Sequence, residues 1–464
     1  MISSNLAKQI ILAASKTGAD FVEIFVEKTA SKSISCENTA VETAGKNVAY
    51  GVGLRLLQGT NSSYGYTNDL SKESLLKLAE DLSKAFSGEQ IINDVTFKTK
   101  KLKNLCPVIK PLGDTTDEEI ISLLKKVGNT IHNEDKRIVR SIVSFGHTHK
   151  DIELYNSNGL HFIDHKDRGR MGILAVAMGE GVIETSFEGP GGSVGFEYFE
   201  QLDVEALAKD VVRVSIQNLT AKECPSGKMP VVMGNGFGGV LFHESCGHPL
   251  EASAVSKGLS SFAGKLGQKI ASDVVSAYDD GTIQNGWGTN NVDDEGNPTQ
   301  CTCLIKNGVL TNYLVDELNG RRMGAKANGA SRRQSYKYEP TSRMSNTYIA
   351  NGTSTPEEII ASTKLGLYAA KMGGGSVNPA TGEFNFSVSE GYIIRDGKIC
   401  EPVRGATLIG KGSEVLMNID MVGNDLLRAQ GMCGASSGSI PTDVGQPTLR
   451  IKEITVGGRG GELK

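Results

Sequence analysis

The 464-residue sequence has no uninterrupted apolar stretch of the roughly 18 residues needed to cross a bilayer. It also lacks a strong charge of either sign. Its 49 Lys and Arg residues nearly balance 53 Asp and Glu residues, and the net charge of −4 gives no electrostatic reason to expect nucleic acid or an anionic membrane as a partner. Residues 2–17 show an amphipathic helix pattern without a basic leader, an apolar core or a cleavage site. We therefore expect a cytoplasmic protein.

Cysteines are few and scattered, with eight in the whole chain. In a reducing compartment such cysteines are thiols or metal ligands, so the sequence does not predict a disulfide framework. Low-complexity tracts are also absent, although the chain has 56 glycines, which indicate many turns and tight strand connections.

Residues 243–251 read His-Glu-Ser-Cys-Gly-His-Pro-Leu-Glu, which places two imidazoles and a carboxylate in one short segment. His243 and His248 can supply neutral nitrogen ligands to zinc, and Glu244 can act as the base for a metal-activated water. We interpret this segment as the centre of a metallopeptidase. An ordinary polar helix end has the same residue types, so the pattern alone leaves both interpretations open.

The two histidines are five residues apart, whereas the common protease helix has its histidines four apart. Around a regular helix, five residues at about 100° each turn the second imidazole roughly 140° from the first. Gly247 and Pro249 flank His248 and can distort or end a helix, which would turn His248 back. The motif therefore predicts an irregular metal-binding helix.

A catalytic zinc site has three protein ligands and an open fourth position, so a third ligand must come from elsewhere in the chain. Cys433 lies in a Gly-Met-Cys-Gly loop, where backbone can approach a metal closely. Cys246 lies within the motif but points differently from the histidines, and Cys301 and Cys303 alternate on a predicted strand. Spacing alone leaves the choice among these cysteines open.

The segment His243-Glu244-x-x-Gly247-His248-x-x-Glu251 resembles the signature of the TldD/PmbA family, also called modulator of DNA gyrase, and specifically of its TldD side. Other segments resemble the C-terminal half of that family: Asp293-Asp294-Glu295-Gly296, Asn378-Pro379-x-Thr381-Gly382-Glu383-Phe384, Ser389-Glu390-Gly391 and Gly445-Gln446-Pro447. The resemblance covers nearly the whole chain. One departure is residues 434–438, Gly-Ala-Ser-Ser-Gly, where the family usually has a Gly-Lys-x-Gly-Gln type loop. This departure bears on substrate contacts more than on Cys433.

The resemblance implies a zinc-dependent peptidase that hydrolyses peptide bonds in peptides or unfolded polypeptides. It implies one zinc ion per chain, held by His243, His248 and Cys433. Glu244 would be the general base that deprotonates zinc-bound water and passes the proton to the leaving amine. Glu251 could orient a ligand imidazole or could be a surface carboxylate, and both remain open.

The resemblance also implies a homologous PmbA-type (TldE) subunit as partner, with a peptide-binding chamber at the interface, and a homodimer is the alternative. Such a chamber would favour extended chains, because main-chain hydrogen bonds do not depend on side-chain identity. The competing function is a non-catalytic, zinc-stabilised regulatory or interaction subunit, for which Cys246 is available as a fourth ligand. Glu244 distinguishes the two, because structural zinc needs no base.

Helix patterns cover residues 3–17, 72–86 and 116–133, and strand patterns include residues 21–26, 48–57, 137–147 and 151–155. We predict an α+β fold, with N-terminal α/β subdomains at residues 1–105 and 106–224. A C-terminal metallopeptidase domain, mainly an antiparallel sheet with the irregular metal-binding helix, would follow at residues 225–464. Two similar hairpins, with Asn-Gly at residues 307–308 and Asp-Gly at residues 396–397, suggest a duplicated or pseudo-symmetric antiparallel sheet.

Three further clusters allow a functional and a structural interpretation. Five arginines lie in residues 316–346 and could bind a substrate carboxylate, although we favour a solvated loop or subunit interface: Arg321, Arg322, Arg332, Arg333 and Arg343. Residues 234–239 fit a dinucleotide fingerprint, but the acidic strand end that should follow is missing, so we favour a tight turn into the metal helix. Four histidines could form a separate metal site, but we favour structural or surface roles: His147, His149, His161 and His165.

Overall fold

In the computed structural model, which describes residues 1–378 and 381–463, the chain adopts an α+β fold with extensive sheets. Pro379, in the Asn-Pro-x-Thr-Gly-Glu-Phe segment, lies outside the described residues. The N-terminal half forms one eight-stranded sheet. Its strands are β1 (Phe21–Glu37), β2 (Ala40–Gln58), β3 (Asn61–Thr67), β4 (Lys98–Thr99), β5 (Ile138–Asn156), β6 (Leu160–Gly179), β7 (Val182–Glu188) and β8 (Gly191–Gly192).

The strand order is β3-β2-β1-β5-β6-β4, and β7 and β8 also pair with β6. Pairing of β1 with β5 joins the two predicted N-terminal subdomains, so both contribute strands to the same sheet. The separate strands predicted at residues 137–147 and 151–155 are one continuous strand. The polar residues between them remain in the strand, because β1 pairs with one edge of β5 and β6 with the other through this stretch.

Five helices accompany this sheet: α1 (Ser4–Ala14), α2 (Lys72–Ser83), α3 (Asp117–Glu134), α4 (Phe196–Gln201) and α5 (Val204–Thr220). The first three correspond to the predicted helices. Helix α3 begins at a capping box, in which Thr116 and Glu119 satisfy each other's backbone N–H groups. The buried faces of α3 and α5 pack with one part of the sheet, and those of α1 and α2 pack with another.

The C-terminal half contains an eight-stranded sheet of order β17-β10-β24-β20-β18-β19-β9, with β21 on β24, and a six-stranded sheet of order β13-β12-β11-β16-β23-β22. Strands β14 and β15 form a separate pair. The bounds are β9 (Lys222–Glu223), β10 (Gly227–Met233), β11 (Ala277–Asp280), β12 (Cys301–Lys306), β13 (Val309–Leu310), β14 (Ser331–Arg332), β15 (Thr341–Ser342), β16 (Asn346–Ile349), β17 (Leu365–Val377), β18 (Glu383–Arg395), β19 (Lys398–Arg404), β20 (Thr407–Lys411), β21 (Ile419–Val422), β22 (Leu427–Ala435), β23 (Gly438–Gln446) and β24 (Leu449–Gly457).

Most of these pairs are antiparallel, and the pairs β10–β17, β16–β23 and β9–β19 are parallel. Five short helices lie among them: α6 (Val240–Phe242), α7 (Ala252–Val255), α8 (Glu317–Met323), α9 (Pro356–Ala361) and α10 (Gly412–Asn418). One large hydrophobic core spans both sheets and includes residues of the metal-motif segment. Among residues 1–378 and 381–463, no helix has the length and apolar character that crossing a bilayer requires.

Both predicted C-terminal hairpins form, but they do not share a sheet. Asn307 and Gly308 have φ of 47° and 81°, and Asp396 and Gly397 have φ of 47° and 73°. Two successive positive φ values are what a type I′ turn requires, which explains the residue pairs at these positions. The first hairpin joins β12 to β13 in the six-stranded sheet and the second joins β18 to β19 in the eight-stranded sheet. A single pseudo-symmetric sheet that holds both hairpins is therefore wrong, and a duplication stays a prediction.

Candidate metal centre

The segment between β10 and α7 is a succession of short helical turns with different hydrogen-bond spacing. A 3₁₀ turn at Gly236–Gly239 leads into α6, a π-helical turn covers His243–Gly247, and a second 3₁₀ turn covers His248–Leu250. The backbone N–H of His248 donates to the carbonyl of His243, five residues earlier. A π turn brings residues five apart onto one face, and the two imidazole centroids are 5.0 Å apart. The opposite face of the segment buries Leu241 and Phe242 in the core.

Glycines in residues 234–239 let this segment pack directly on the hairpin formed by β22 and β23. A Cβ at Gly238 would lie 2.4 Å from Gln446 Nε2, and one at Gly239 would lie 2.4 Å from the backbone nitrogen of Gly445. Gly236 has a φ of +73°, which glycine adopts without strain. These glycines therefore allow close packing at a tight turn. This agrees with the interpretation that we favoured over a dinucleotide site.

Gly247 is also required by packing, because a Cβ there would lie 2.1 Å from the sulfur of the buried Met344. We expect Gly247→Ala to lower the free energy of unfolding by about 1–3 kcal/mol, the usual cost of overpacking a core. We also expect weaker zinc binding, since the π turn that pairs the histidines must shift. Chemical denaturation of the metal-free chain and a zinc-competition titration measure the two effects.

Gly113→Ala is the matched control, because a Cβ there meets no atom within 4 Å and its φ is not positive. A compatible Gly→Ala change is neutral or slightly stabilising. Equal stability and zinc affinity in the two variants would contradict the packing role of Gly247.

Cys433, on β22, brings a sulfur to the two histidines. Its Sγ lies 3.2 Å from His243 Nε2 and 3.2 Å from His248 Nε2. The three atoms all lie within 4.8 Å of one another. A tetrahedral zinc ion with ordinary Zn–N and Zn–S bonds holds N and S atoms about 3.5 Å apart, so this donor set fits zinc in both chemistry and size. Of the cysteines that spacing left open, the structure brings Cys433 within reach of both histidines.

The imidazoles and the cysteine of this cluster shift each other's pKa values. Burial raises the pKa of Cys433, but His243 and His248 outweigh that effect and lower it to about 4. Burial lowers the pKa of His248, but Glu251 and Cys433 raise it well above its ordinary value, so a metal ion would have to displace a proton from this imidazole. The sulfur is therefore a thiolate at neutral pH, which is the form that binds zinc.

Glu251 is buried, so its interpretation as a surface carboxylate is wrong. Its Oε1 lies 3.1 Å from His248 Nδ1, and Arg343 Nε lies 3.7 Å from the same oxygen. A carboxylate on the second ring nitrogen is the usual partner of a metal-binding histidine, because it sets the tautomer and the ring orientation. The other ligand histidine differs: Nδ1 of His243 is buried without a hydrogen-bond partner among the described residues.

Arg343 is a residue of this centre that sequence reasoning did not single out from the arginine cluster. Its fully buried guanidinium donates to the carbonyl of Cys433, to Ser437 Oγ and to the carbonyl of Gly438. It therefore ties the β22–β23 turn to the Glu251 side of the centre. No local pattern marks this role, since the partners are 90 or more residues away in sequence.

The favoured prediction of a solvated loop or subunit interface is wrong for Arg332 and Arg333 as well. Arg332 is buried and donates to the carbonyl of Met344, and Arg333 is buried against Glu23 and Asp294. The two remaining arginines contact the N-terminal sheet region, where Arg321 pairs with Asp20 and Arg322 donates to the carbonyl of Thr60.

Glu244 lies on the more open side of the cluster. Its side chain is 27% exposed, and Oε2 lies 3.9 Å from His248 Nε2. Cys246 is instead fully buried in the hydrophobic core, where burial raises its thiol pKa. Within the described part of the chain, the group of ligand atoms around Cys433 comprises that sulfur and two imidazoles, without Cys246. The arrangement is three potential ligands with a carboxylate nearby.

A cavity of about 500 Å³ lies between the N-terminal sheet and the β22–β23 hairpin that carries Cys433. Met432 and Ile440 line it on the hairpin side. Its basic lining residues are Lys150, Lys166, Arg168, Arg332, Arg333 and Lys337, and its acidic lining residues are Glu27 and Asp294. Arg168 donates only to carbonyl and amide oxygens, and no ion pair in the described residues involves Arg168 or Arg332. The guanidinium groups of Arg168 and Arg332 therefore reach this cavity without an ion-pair partner among the described residues.

Three family domains match this chain in order: PmbA/TldA metallopeptidase domain 1 at residues 22–86, the central domain at residues 110–219, and the C-terminal domain at residues 226–458. A metalloprotease TldD homolog of Haemophilus influenzae is 37% identical, over 98% of this chain and 97% of its own. A metalloprotease of Methanothermobacter thermautotrophicus is 30% identical, over 95% of this chain and 96% of its own. A zinc metalloprotease TldD homolog of Saccharolobus solfataricus is 26% identical, over 97% and 99%.

Solved structures share the fold. A putative modulator of DNA gyrase from Bacteroides thetaiotaomicron aligns with a TM-score of 0.77 and 19% identity, covering 99% of this chain and 100% of its own. TldE from Thermococcus kodakarensis aligns with a TM-score of 0.75 and 19% identity, covering 94% and 97%.

Proposed function

The chain belongs to the PmbA/TldD metallopeptidase family, and we propose that it is a zinc-dependent peptidase acting on peptides or unfolded polypeptides. The observation that carries the proposal is the convergence of His243 Nε2, His248 Nε2 and Cys433 Sγ beside the Glu244 carboxylate. Three ligands leave a coordination position open, as a catalytic metal site requires. One thiolate with two imidazoles favours zinc over hard cations such as magnesium.

Zinc bound at this centre would supply a Lewis acid that polarises the scissile carbonyl and acidifies water. Glu244 would take a proton from the attacking water and later deliver it to the leaving amine. Its carboxylate is suited to this role because it is partly exposed and lies close to the metal-binding nitrogen of His248. Glu251 and Arg343 would act as positioning residues, since they hold the imidazole of His248 and the backbone of Cys433.

We place the peptide in the cavity beside the Cys433 hairpin. The buried guanidinium groups of Arg168 and Arg332 form no ion pair with a carboxylate among the described residues. Carbonyl groups or the terminal carboxylate of a peptide would complement their positive charge. The cavity lies against strands of the N-terminal sheet, which suits an extended chain. A folded domain would not fit about 500 Å³.

The proposed domain organisation is residues 1–105, 106–224 and 225–464, which the three family domains support by their positions. The proposed partner is a PmbA-type (TldE) homologous subunit, or a second copy of this chain. The shared fold with a TldE structure supports the first choice, because homologous subunits can pair through equivalent surfaces. The proposed compartment is the cytoplasm, and the proposal is supported by the eight cysteines, all of which the structure describes outside any disulfide.

The non-catalytic alternative requires a closed site with four ligands. Cys246, its candidate fourth ligand, is a buried core thiol outside the ligand group of the described residues. No observation therefore favours this alternative over the peptidase.

Metal removal tests the proposal. We expect chelation to stop cleavage of a permanently unfolded, reduced and alkylated protein, and stoichiometric zinc to restore it, because the carbonyl and the water both need the metal. The native form of the same protein is the control substrate, and we expect its cleavage to be slower by at least about 100-fold, since native domains rarely open. Each assay is run with the chain alone and with the PmbA-type subunit. Cleavage that survives complete loss of zinc would refute the proposal.

A further inference from the structure

Five side chains on one face of the N-terminal sheet form a continuous chain of alternating imidazoles and carboxylates. Asp151 Oδ1 lies 2.7 Å from His165 Nδ1 and 3.1 Å from His149 Nε2. On the other side of the same imidazole, His149 Nδ1 lies 2.9 Å from Asp167 Oδ1, which in turn lies 3.5 Å from His147 Nε2. The rings of His149 and His165 stack with centroids 6.3 Å apart.

Strand register brings these residues together. In the antiparallel pair of β5 and β6, His149 lies opposite Asp167 and Asp151 lies opposite His165. Directly opposite residues share a face, and residues two apart on one strand do as well, so all five project to the same side. The intervening Lys150 and Lys166 project to the other side and line the cavity. The cluster is therefore separated from the peptide cavity by the thickness of the sheet.

We propose that His149, Asp151 and His165 bind a second divalent transition-metal ion, at a site distinct from the His243 centre. Two imidazoles and one carboxylate are a donor set that zinc, cobalt(II), nickel(II) or iron(II) accepts. One ligand atom from each of the three residues lies within 4.8 Å of the other two. Metal–nitrogen and metal–oxygen bonds of ordinary length place tetrahedral ligand atoms about 3.3 Å apart, so the ion needs only small side-chain movements.

The surroundings of His149 match a built metal site more closely than an accidental cluster. Asp167 occupies the ring nitrogen that faces away from Asp151, which directs Nε2 of His149 toward the ion. Metal-binding histidines commonly have this order, in which one ring nitrogen binds the metal and the other donates to a carboxylate. Asp167 is itself held by the buried His147. His147, one of the four histidines for which we favoured a structural or surface role, thus holds the carboxylate of Asp167.

The site is accessible to solution. The side chains of His165, His149 and Asp151 are 63%, 34% and 33% exposed. Open coordination positions would therefore hold water or a donor from a bound molecule. Lys28 on β1 lies opposite Asp151 and is exposed, so its charge faces the same side and reduces the affinity for a cation. We expect an affinity below that of the thiolate-containing centre.

Without metal, the same residues form a hydrogen-bonded ion network. The hydrogen bond to Asp167 raises the pKa of His149 to about 9, although partial burial opposes this. Metal must therefore displace a proton from His149, and a proton-only network is the alternative outcome.

The test is a cobalt(II) titration of the untagged full-length chain, with metal content measured after buffer exchange. We expect two ions per wild-type chain. Only the centre with Cys433 can show intense thiolate-to-cobalt absorption in the near ultraviolet. The second site should show weak d–d bands alone, because its donors are nitrogen and oxygen.

Removing one site should leave the other. We expect one ion without loss of the thiolate band in His149→Ala/Asp151→Asn, and one ion without that band in Cys433→Ser. His132→Gln is the matched control, because this histidine contacts Asn38 and Ser141 away from the cluster, and it should keep two ions.

One ion in the wild-type chain overturns the proposal, as does a second ion that persists in a folded His149→Ala/Asp151→Asn variant. The first of these results does not depend on any variant folding, since the wild-type count alone decides it. The proposal also stands apart from peptidase activity, because every measurement is of bound metal.

Discussion

The Glu244→Gln variant is expected to keep the zinc content of the wild type and to lose cleavage of an unfolded peptide by about 10²–10⁴-fold in kcat. An amide cannot accept the proton of the attacking water, so general-base catalysis is lost. The ligands stay in place, because Glu244 makes no hydrogen bond to His243, His248 or Cys433 in the described structure and its side chain is partly exposed. Metal analysis and peptide cleavage are measured on the same samples, with and without the PmbA-type subunit.

Glu118→Gln is the matched control, since it makes the same chemical change on an exposed position of α3. It should leave both readouts unchanged. Full activity in Glu244→Gln would mean that another group activates the water. Zinc-loaded wild type that cuts no peptide in any pairing would instead support the regulatory-subunit alternative.

Cys433→Ser is expected to weaken zinc binding by well over about 100-fold. Loss of outer-shell partners alone costs 10–100-fold, and here a direct ligand is lost. The cysteine is a thiolate at neutral pH because the two imidazoles lower its pKa to about 4, whereas a serine hydroxyl stays neutral and is a poor zinc ligand. Zinc competition against a chromogenic chelator measures the affinity, and cleavage should fall with zinc occupancy.

Two other cysteine variants make this result specific. Cys400→Ser changes an exposed thiol and should bind zinc normally. Cys246→Ala removes the thiol that a four-ligand structural site would use, and we expect it to lose some stability as a core truncation but to keep its zinc affinity. A loss of zinc in Cys246→Ala comparable to that in Cys433→Ser would contradict a three-ligand centre.

Local features of the fold followed from the sequence with good accuracy. The capped helix α3 and the two type I′ hairpins were predictable because their determinants lie within a few residues of each other. The pairing of hairpins into sheets was not, because equivalent turns can join strands of any sheet. The two similar hairpins suggested a duplicated or pseudo-symmetric sheet, and the topology contradicts a single sheet that holds both.

Within the proposed metal centre, the sequence by itself indicated the two histidines, the adjacent glutamate and a distorted helix, since all depend on one nine-residue segment. Tertiary structure decided which cysteine approaches them, because Cys433 is 190 residues from His243 and arrives only through the packing of β22 and β23 against the Gly236–Gly239 turn. It also decided that Arg343 and Glu251 are buried and contact the backbone of Cys433 and the imidazole of His248. At the N-terminal sheet, strand register places His149 opposite Asp167. Local hydrogen bonding and sterics act over a few residues and can be read from sequence. Juxtaposition across a core depends on how whole sheets pack, which no short pattern encodes.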